Sequence, residues 1–86
     1  MRVEVALFGA FRQFDPGARI EIDLKDDARV ADLRQALADY ARANWPGFAP
    51  GLLARSAFAS ERLILRESEP IPAEARLAVL PPVSGG

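Results

Sequence analysis

The chain contains no cysteine and no histidine. Disulfides, thiolate nucleophiles, imidazole bases and any metal site built from Cys or His are therefore excluded. A surplus of positive charge is missing as well: eleven Lys and Arg face twelve Asp and Glu, for a formal net charge of −1. Without basic excess to neutralise phosphates, the sequence makes no electrostatic claim on nucleic acid or an anionic lipid surface. No apolar run approaches the roughly 18 residues needed to cross a bilayer. At the start, Glu4 interrupts the apolar stretch and no cationic segment precedes it, which reads as a strand and not as a secretory leader. The expectation is a soluble cytoplasmic protein, a compartment the absent cysteines permit. Much of ordinary enzyme chemistry is already gone.

What is present is ordinary globular material, 50% hydrophobic and 27% charged over 86 residues. A chain this short buries roughly 60% of the surface its unfolded form exposes, enough for one domain with one small core. Residues 3–8 place Val3, Val5 and Leu7 on one face of a strand. Gly9 and Asp15-Pro16-Gly17 then mark a turn region, in which Pro16 presets φ and Gly17 supplies freedom for positive φ. Residues 18–24 alternate, with Ile20, Ile22 and Leu24 against Arg19, Glu21 and Asp23, so the first two strands read as a hairpin covered on one side.

The period changes at residue 30. Val30, Leu33, Leu37, Tyr40 and Ala41 fall on one stripe of a helix over residues 30–43. Its start lacks a Ser or Thr cap, leaving Asp27 as the candidate, and Asn44-Trp45-Pro46-Gly47 ends it. Trp45 and Phe48 read as closing the end of the core in preference to a ligand platform. Beyond a loop with a short helical turn at Leu52-Leu53, strands are expected at Ala57–Ala59, Leu63–Leu65 and Arg76–Leu80. Pro81-Pro82 cannot donate ladder hydrogen bonds, so pairing stops there. The order is ββα followed by more strands: an α+β fold with one helix on one sheet face.

Few constellations offer chemistry. Asp26-Asp27 and Glu67/Glu69 are paired carboxylates, but in polar loops they read as solvated charge. No GxxxxGK phosphate loop exists, the serines have no histidine to activate them, and no metal site is expected. The tail Pro81-Pro82-Val83-Ser84-Gly85-Gly86 is different. Prolines stiffen the exit from the last strand, and glycines without Cβ atoms let an extended thread enter a narrow site. Such a tail presents an α-carboxylate, ionised at neutral pH with a reference pKa of about 3.3–3.7 and hence a poor electrophile. It must first become a mixed anhydride, most simply an acyl-adenylate formed by an ATP-using partner in trans.

Together the Val3–Phe8 strand, Phe11-Arg12, the helix opening Val30-Ala31-Asp32-Leu33 and the tail Pro81 to Gly86 resemble the ubiquitin-like β-grasp sulfur carriers. Among these the chain is most similar to small subunits of molybdopterin synthase. It carries Ala73-Glu74-Ala75 where such relatives usually have Asp-Gly-Asp. The resemblance implies a β-grasp domain over residues 1–80, a mixed sheet of four to five strands with one main helix, and a tail over residues 81–86. It further implies that Gly86 is adenylated by an E1-like enzyme at the expense of ATP and converted to a thiocarboxylate with sulfur from a donor protein. The sulfur then passes to a pyranopterin precursor in the large synthase subunit, in a heterotetramer, with Pro81, Pro82, Val83, Ser84 and Gly85 as the threading segment. No bound cofactor is implied. The same carrier chemistry could serve thiazole synthesis, tRNA thiolation or an amino-acid pathway. A protein modifier using the same activated glycine, or a purely structural module, are the readings of other classes. Period-two reading also leaves Phe8, Ile64 and Leu80 on the sheet face opposite the helix, as a docking surface for the synthase or the activating enzyme.

Overall fold

The computed structural model describes residues 1–82. Alternation over the first two apolar segments becomes a hairpin. Strand β1 (Arg2–Leu7) pairs antiparallel with β2 (Arg19–Asp23), bringing Val3 opposite Ile22 and Val5 opposite Ile20, all four buried. The connection is not the open turn expected from its glycines. Gly9–Phe14 forms a 3-10 helix, which the Phe11 N–H starts by donating to the Phe8 carbonyl at 3.1 Å. The Phe11 ring has no exposed surface and fills the end of the core, so tertiary burial stabilises a segment whose local signals read as loop. In the turn that follows, the Asp15 side chain accepts from the Gly17 N–H at 3.0 Å. The left-handed residue there is Ala18, at φ 54°, and not Gly17.

Helix α1 (Val30–Asn44) buries Val30, Leu33, Leu37 and Ala41 against the sheet, with Tyr40 half-buried at the margin. Its first turn is closed by Asp32, whose Oδ2 accepts from the Arg29 N–H at 2.8 Å; Asp27 takes no part in that cap. Trp45 follows the helix and is stacked on Phe14 at 5.2 Å between centroids, with Phe48 edge-on at 5.7 Å. These aromatics close the end of the core, as their positions in the sequence imply.

Helix α2 (Pro50–Ala54) is the short turn anticipated at Leu52-Leu53, opened by a proline that needs no partner for an N–H it lacks. Strand β3 (Ala57–Ala59) turns back through Ser60 into β4 (Ile64–Leu65), the Ser60 Oγ accepting from the Leu63 N–H at 3.2 Å. Strand β5 (Arg76–Leu80) enters between β1 and β3, parallel to the first and antiparallel to the second. The sheet order is β2-β1-β5-β3-β4. Arg34 ties the layers together. Its Nε and Nη2 donate to the two Glu67 carboxylate oxygens at 2.8 Å each, and Nη1 donates to the Leu53 carbonyl at 2.5 Å. Its guanidinium lies 5.0 Å from the Phe58 ring centroid. Among the described residues no helix is long and apolar enough to cross a membrane.

Candidate functional site

Two features meet at one end of the sheet: the point where the tail departs and an open face that no helix covers. The departure point is built by three segments. Strand β5 is held centrally, with Leu80 paired to Ala57, so the direction in which the chain reaches Pro81 is set by the sheet. A proline also restricts the residue before it to extended backbone, which suits Leu80 as the last strand residue. Pro81 is half-buried and Pro82 exposed. Gly9 lies beneath the Pro81 ring, with φ at +55°; a Cβ placed on it would lie only 2.5 Å from Pro81 Cγ and 3.3 Å from Cδ. Bare glycine backbone is what lets the ring approach.

The open face follows from strand parity. Residues whose neighbours point into the core point out: Ala6 on β1, Ala78 on β5 and Ala59 on β3 lie side by side in register, and Ile64 on β4 continues the row. With Phe8 the three alanines line a shallow groove of about 300 Å³, whose rim carries Glu4, Glu61 and Arg76; Ile64 lies beyond it. Phe8 and Ile64 are exposed, 47% and 68%, and lie on this face as the alternation implies. Leu80 shares the face but is half-buried. Phe8 and Leu80 stand at the tail end, while Ile64 occupies the far edge across a floor of alanines. That floor, and the seat formed by Gly9, went unnoticed in the sequence. The first had a signal in the outward parity of Ala6, Ala59 and Ala78; the second had none, since Gly9 and Pro81 are linked only through the folded chain.

Ionisable groups in this region offer no catalytic constellation, and no cluster of metal-ligating residues exists among the described residues. Among the described residues, the one carboxyl with a clear shift lies on the helix side. Hydrogen bonding to Arg34 chiefly holds Glu67 below the usual glutamate range; burial opposes it, and the charge of the guanidinium adds a still smaller lowering. Glu67 is thereby a structural anion. Val83, Ser84, Gly85 and Gly86 lie outside the described residues.

A five-stranded mixed sheet in this order, with one main helix across one face, defines a ubiquitin-like β-grasp protein. The model of the ThiS family matches residues 5–86, and the chain belongs to that family of ubiquitin-like sulfur carriers and modifiers. Among solved structures it is similar to SAMP1 from Haloferax volcanii, at 26% identity over 100% of both chains with a TM-score of 0.73. A second structure, of Haloferax volcanii small archaeal modifier protein 1, is 22% identical with a TM-score of 0.69, covering 95% of this chain and 98% of that one. A further Haloferax volcanii protein, solved in solution, matches at 24% identity and a TM-score of 0.72 over 100% of this chain and 87% of its own. The last two likenesses speak to fold alone. No curated protein matches the chain.

Proposed function

We propose that the chain is a sulfur carrier serving molybdopterin synthesis, with Gly86 as the reacting residue. An oxygen of its carboxylate attacks the α-phosphorus of ATP on an E1-like partner, and pyrophosphate leaves. Sulfur supplied at the sulfide level by a donor protein then attacks the acyl carbon and AMP leaves, giving a thiocarboxylate. The large synthase subunit receives the tail, and the sulfur builds the dithiolene of the pterin. The observation that carries this reading is the exit: a central strand stopped by Pro81-Pro82, seated on Gly9 beside an open apolar face, leading into Val83-Ser84-Gly85-Gly86. Family membership supports the carrier chemistry, and the Pro-Pro-Val-Ser-Gly-Gly ending favours the molybdopterin branch over thiazole carriers, which resemble a shorter version without the double proline.

A second reading is favoured by the likeness to a small archaeal modifier over the whole chain. In it, the same acyl-adenylate reacts with a lysine amine and the product is an isopeptide bond. Lys25 is the single lysine here and is exposed, so self-conjugation through a side chain has one possible address. One experiment separates the readings. The protein is incubated with ATP, the cognate E1-like enzyme and a sulfur donor, then weighed intact. The carrier reading expects one oxygen exchanged for sulfur, and release of that sulfur to a pterin precursor when the large subunit is added. Adducts on target proteins without sulfur exchange would replace it with the modifier reading; an unchanged mass would end both.

A further inference from the structure

The contact between Gly9 and Pro81 joins a fixed segment to one that can yield. Gly9 is fixed from both sides. Ahead of it, Leu7 is paired in β1 and donates its N–H to the Ala18 carbonyl at 2.8 Å. Behind it, Phe11 is locked in the core, and its N–H is bonded to the Phe8 carbonyl. A side chain at residue 9 therefore cannot retreat from the ring above it. Pro81 has no such anchor beyond Leu80, because its neighbour Pro82 is exposed and neither proline donates a ladder hydrogen bond. A collision is therefore relieved at Pro81 and not at residue 9.

We propose that Gly9 is a positioning residue for the tail: it is the seat that sets the direction in which Pro81-Pro82 leave the sheet, and so the region that Gly86 can reach. The inference rests on the carrier reading of Gly86. Its leverage is geometric. Five residues span at most about 17 Å, so a tilt of about 20° at Pro81 shifts the reach of the far end by at most about 6 Å. Misplacement of a reacting group by about 1 Å is enough to cost about 10²-fold in rate. The glycines near the end allow part of that displacement to be recovered once the tail is gripped. The docking face itself, with Phe8 and Ile64, is left in place. The loss therefore falls on turnover and not on recognition.

The test uses Gly9→Ala, Gly9→Asn and the double variant Gly9→Ala with Pro81→Ala, with Pro81→Ala alone as its reference, assayed by ATP–pyrophosphate exchange on the cognate E1-like enzyme. Asparagine tolerates the left-handed region, so Gly9→Asn keeps the Cβ while easing the backbone strain and carries the test if Gly9→Ala folds poorly. Both single variants are expected to lower kcat by about tenfold or more with KM changed less than about threefold. Removing the Pro81 ring removes the atoms at 2.5 and 3.3 Å and leaves only its Cβ, at 3.8 Å, so the double variant should return to the level of Pro81→Ala alone. Wild-type kcat in Gly9→Asn, or a double variant no faster than Gly9→Ala, would overturn the proposal. If the wild-type protein itself supports no exchange, it is the carrier reading that fails. The seat is then still read by the nuclear Overhauser effect between Gly9 Hα and the Pro81 ring, expected in the wild type and lost in Gly9→Asn. Its persistence there would overturn the seat.

Discussion

At the scale of single residues, Arg34 and Glu67 show how two partners in one contact matter unequally. The Glu67 carboxylate is half-exposed, 49% against 22% for the Arg34 side chain, so the pair is partly screened by solvent and contributes below about 1 kcal/mol. Arg34 does more, since it also donates to the Leu53 carbonyl and covers Phe58. Replacing it with methionine is expected to cost about 2 kcal/mol, the scale of a lost charge-assisted hydrogen bond. The two substitutions should differ in pH dependence. Because the folded state holds Glu67 below its ordinary range, the unfolded chain binds more protons between the two values. The stabilisation is complete above the unfolded value of about 4.3 and disappears as pH falls through the lower folded one. Urea unfolding across that acid range should show the deficit of Glu67→Gln vanishing while most of the Arg34→Met deficit persists. A Glu67→Gln deficit that grows on acidification would contradict the assignment.

At the scale of elements, the hairpin turn joining the 3-10 helix to β2 carries a local conflict. Ala18 sits at φ 54°, a region that costs an L-residue roughly 1–2 kcal/mol, although Gly17 is its neighbour. The turn is held there because the Ala18 carbonyl must meet the Leu7 N–H and its own N–H must meet the Asp15 carbonyl, at 2.8 and 2.9 Å. Ladder register thus overrides local preference. Ala18→Gly relieves the strain but adds freedom to the unfolded chain, an opposing effect of about 0.4–1 kcal/mol. The difference favours the glycine variant, and a rise in melting temperature of a few degrees, about 4–8 °C per kcal/mol, is expected by calorimetry. A lower melting temperature would place the strain elsewhere.

Across the whole molecule, the sheet has one face that packs the core and one that no helix of the described residues covers. Core residues Val3, Val5, Leu77 and Val79 face α1, and truncating them would unfold the protein before it reported on binding. Phe8 is the cleaner probe, being 47% exposed and at the tail end of the groove. Phe8→Ala should weaken binding to the activating enzyme about thirtyfold, near 2 kcal/mol, while moving the melting temperature little. Leu80→Ala should lower both, because that side chain is only partly exposed and also packs against the fold. Titration calorimetry and thermal melts on the same samples separate the two effects. Unchanged affinity for Phe8→Ala would move the docking surface off this face.

Period and punctuation carried most of the architecture in the linear sequence. Alternation at Val3-Val5-Leu7 and Ile20-Ile22, the helical stripe from Val30 to Ala41, and the stop at Pro81-Pro82 each depend on neighbours within a few residues, and each stands in the folded chain. The outward parity of Phe8 and Ile64 was legible for the same reason. What local pattern could not carry was contact between distant segments. The 3-10 helix exists because Phe11 has a core to enter, and that core is assembled by residues up to Val79. Helix capping by Asp32, the left-handed Ala18 and the clamp of Arg34 on Leu53 and Glu67 are likewise decided by which backbone groups the assembled fold leaves to satisfy. The seat of Pro81 on Gly9 is the farthest such case, joining residues 72 positions apart (81 − 9). It appears only once β5 has inserted beside β1, because close approach is set by packing between strands and not by the spacing of residues along one.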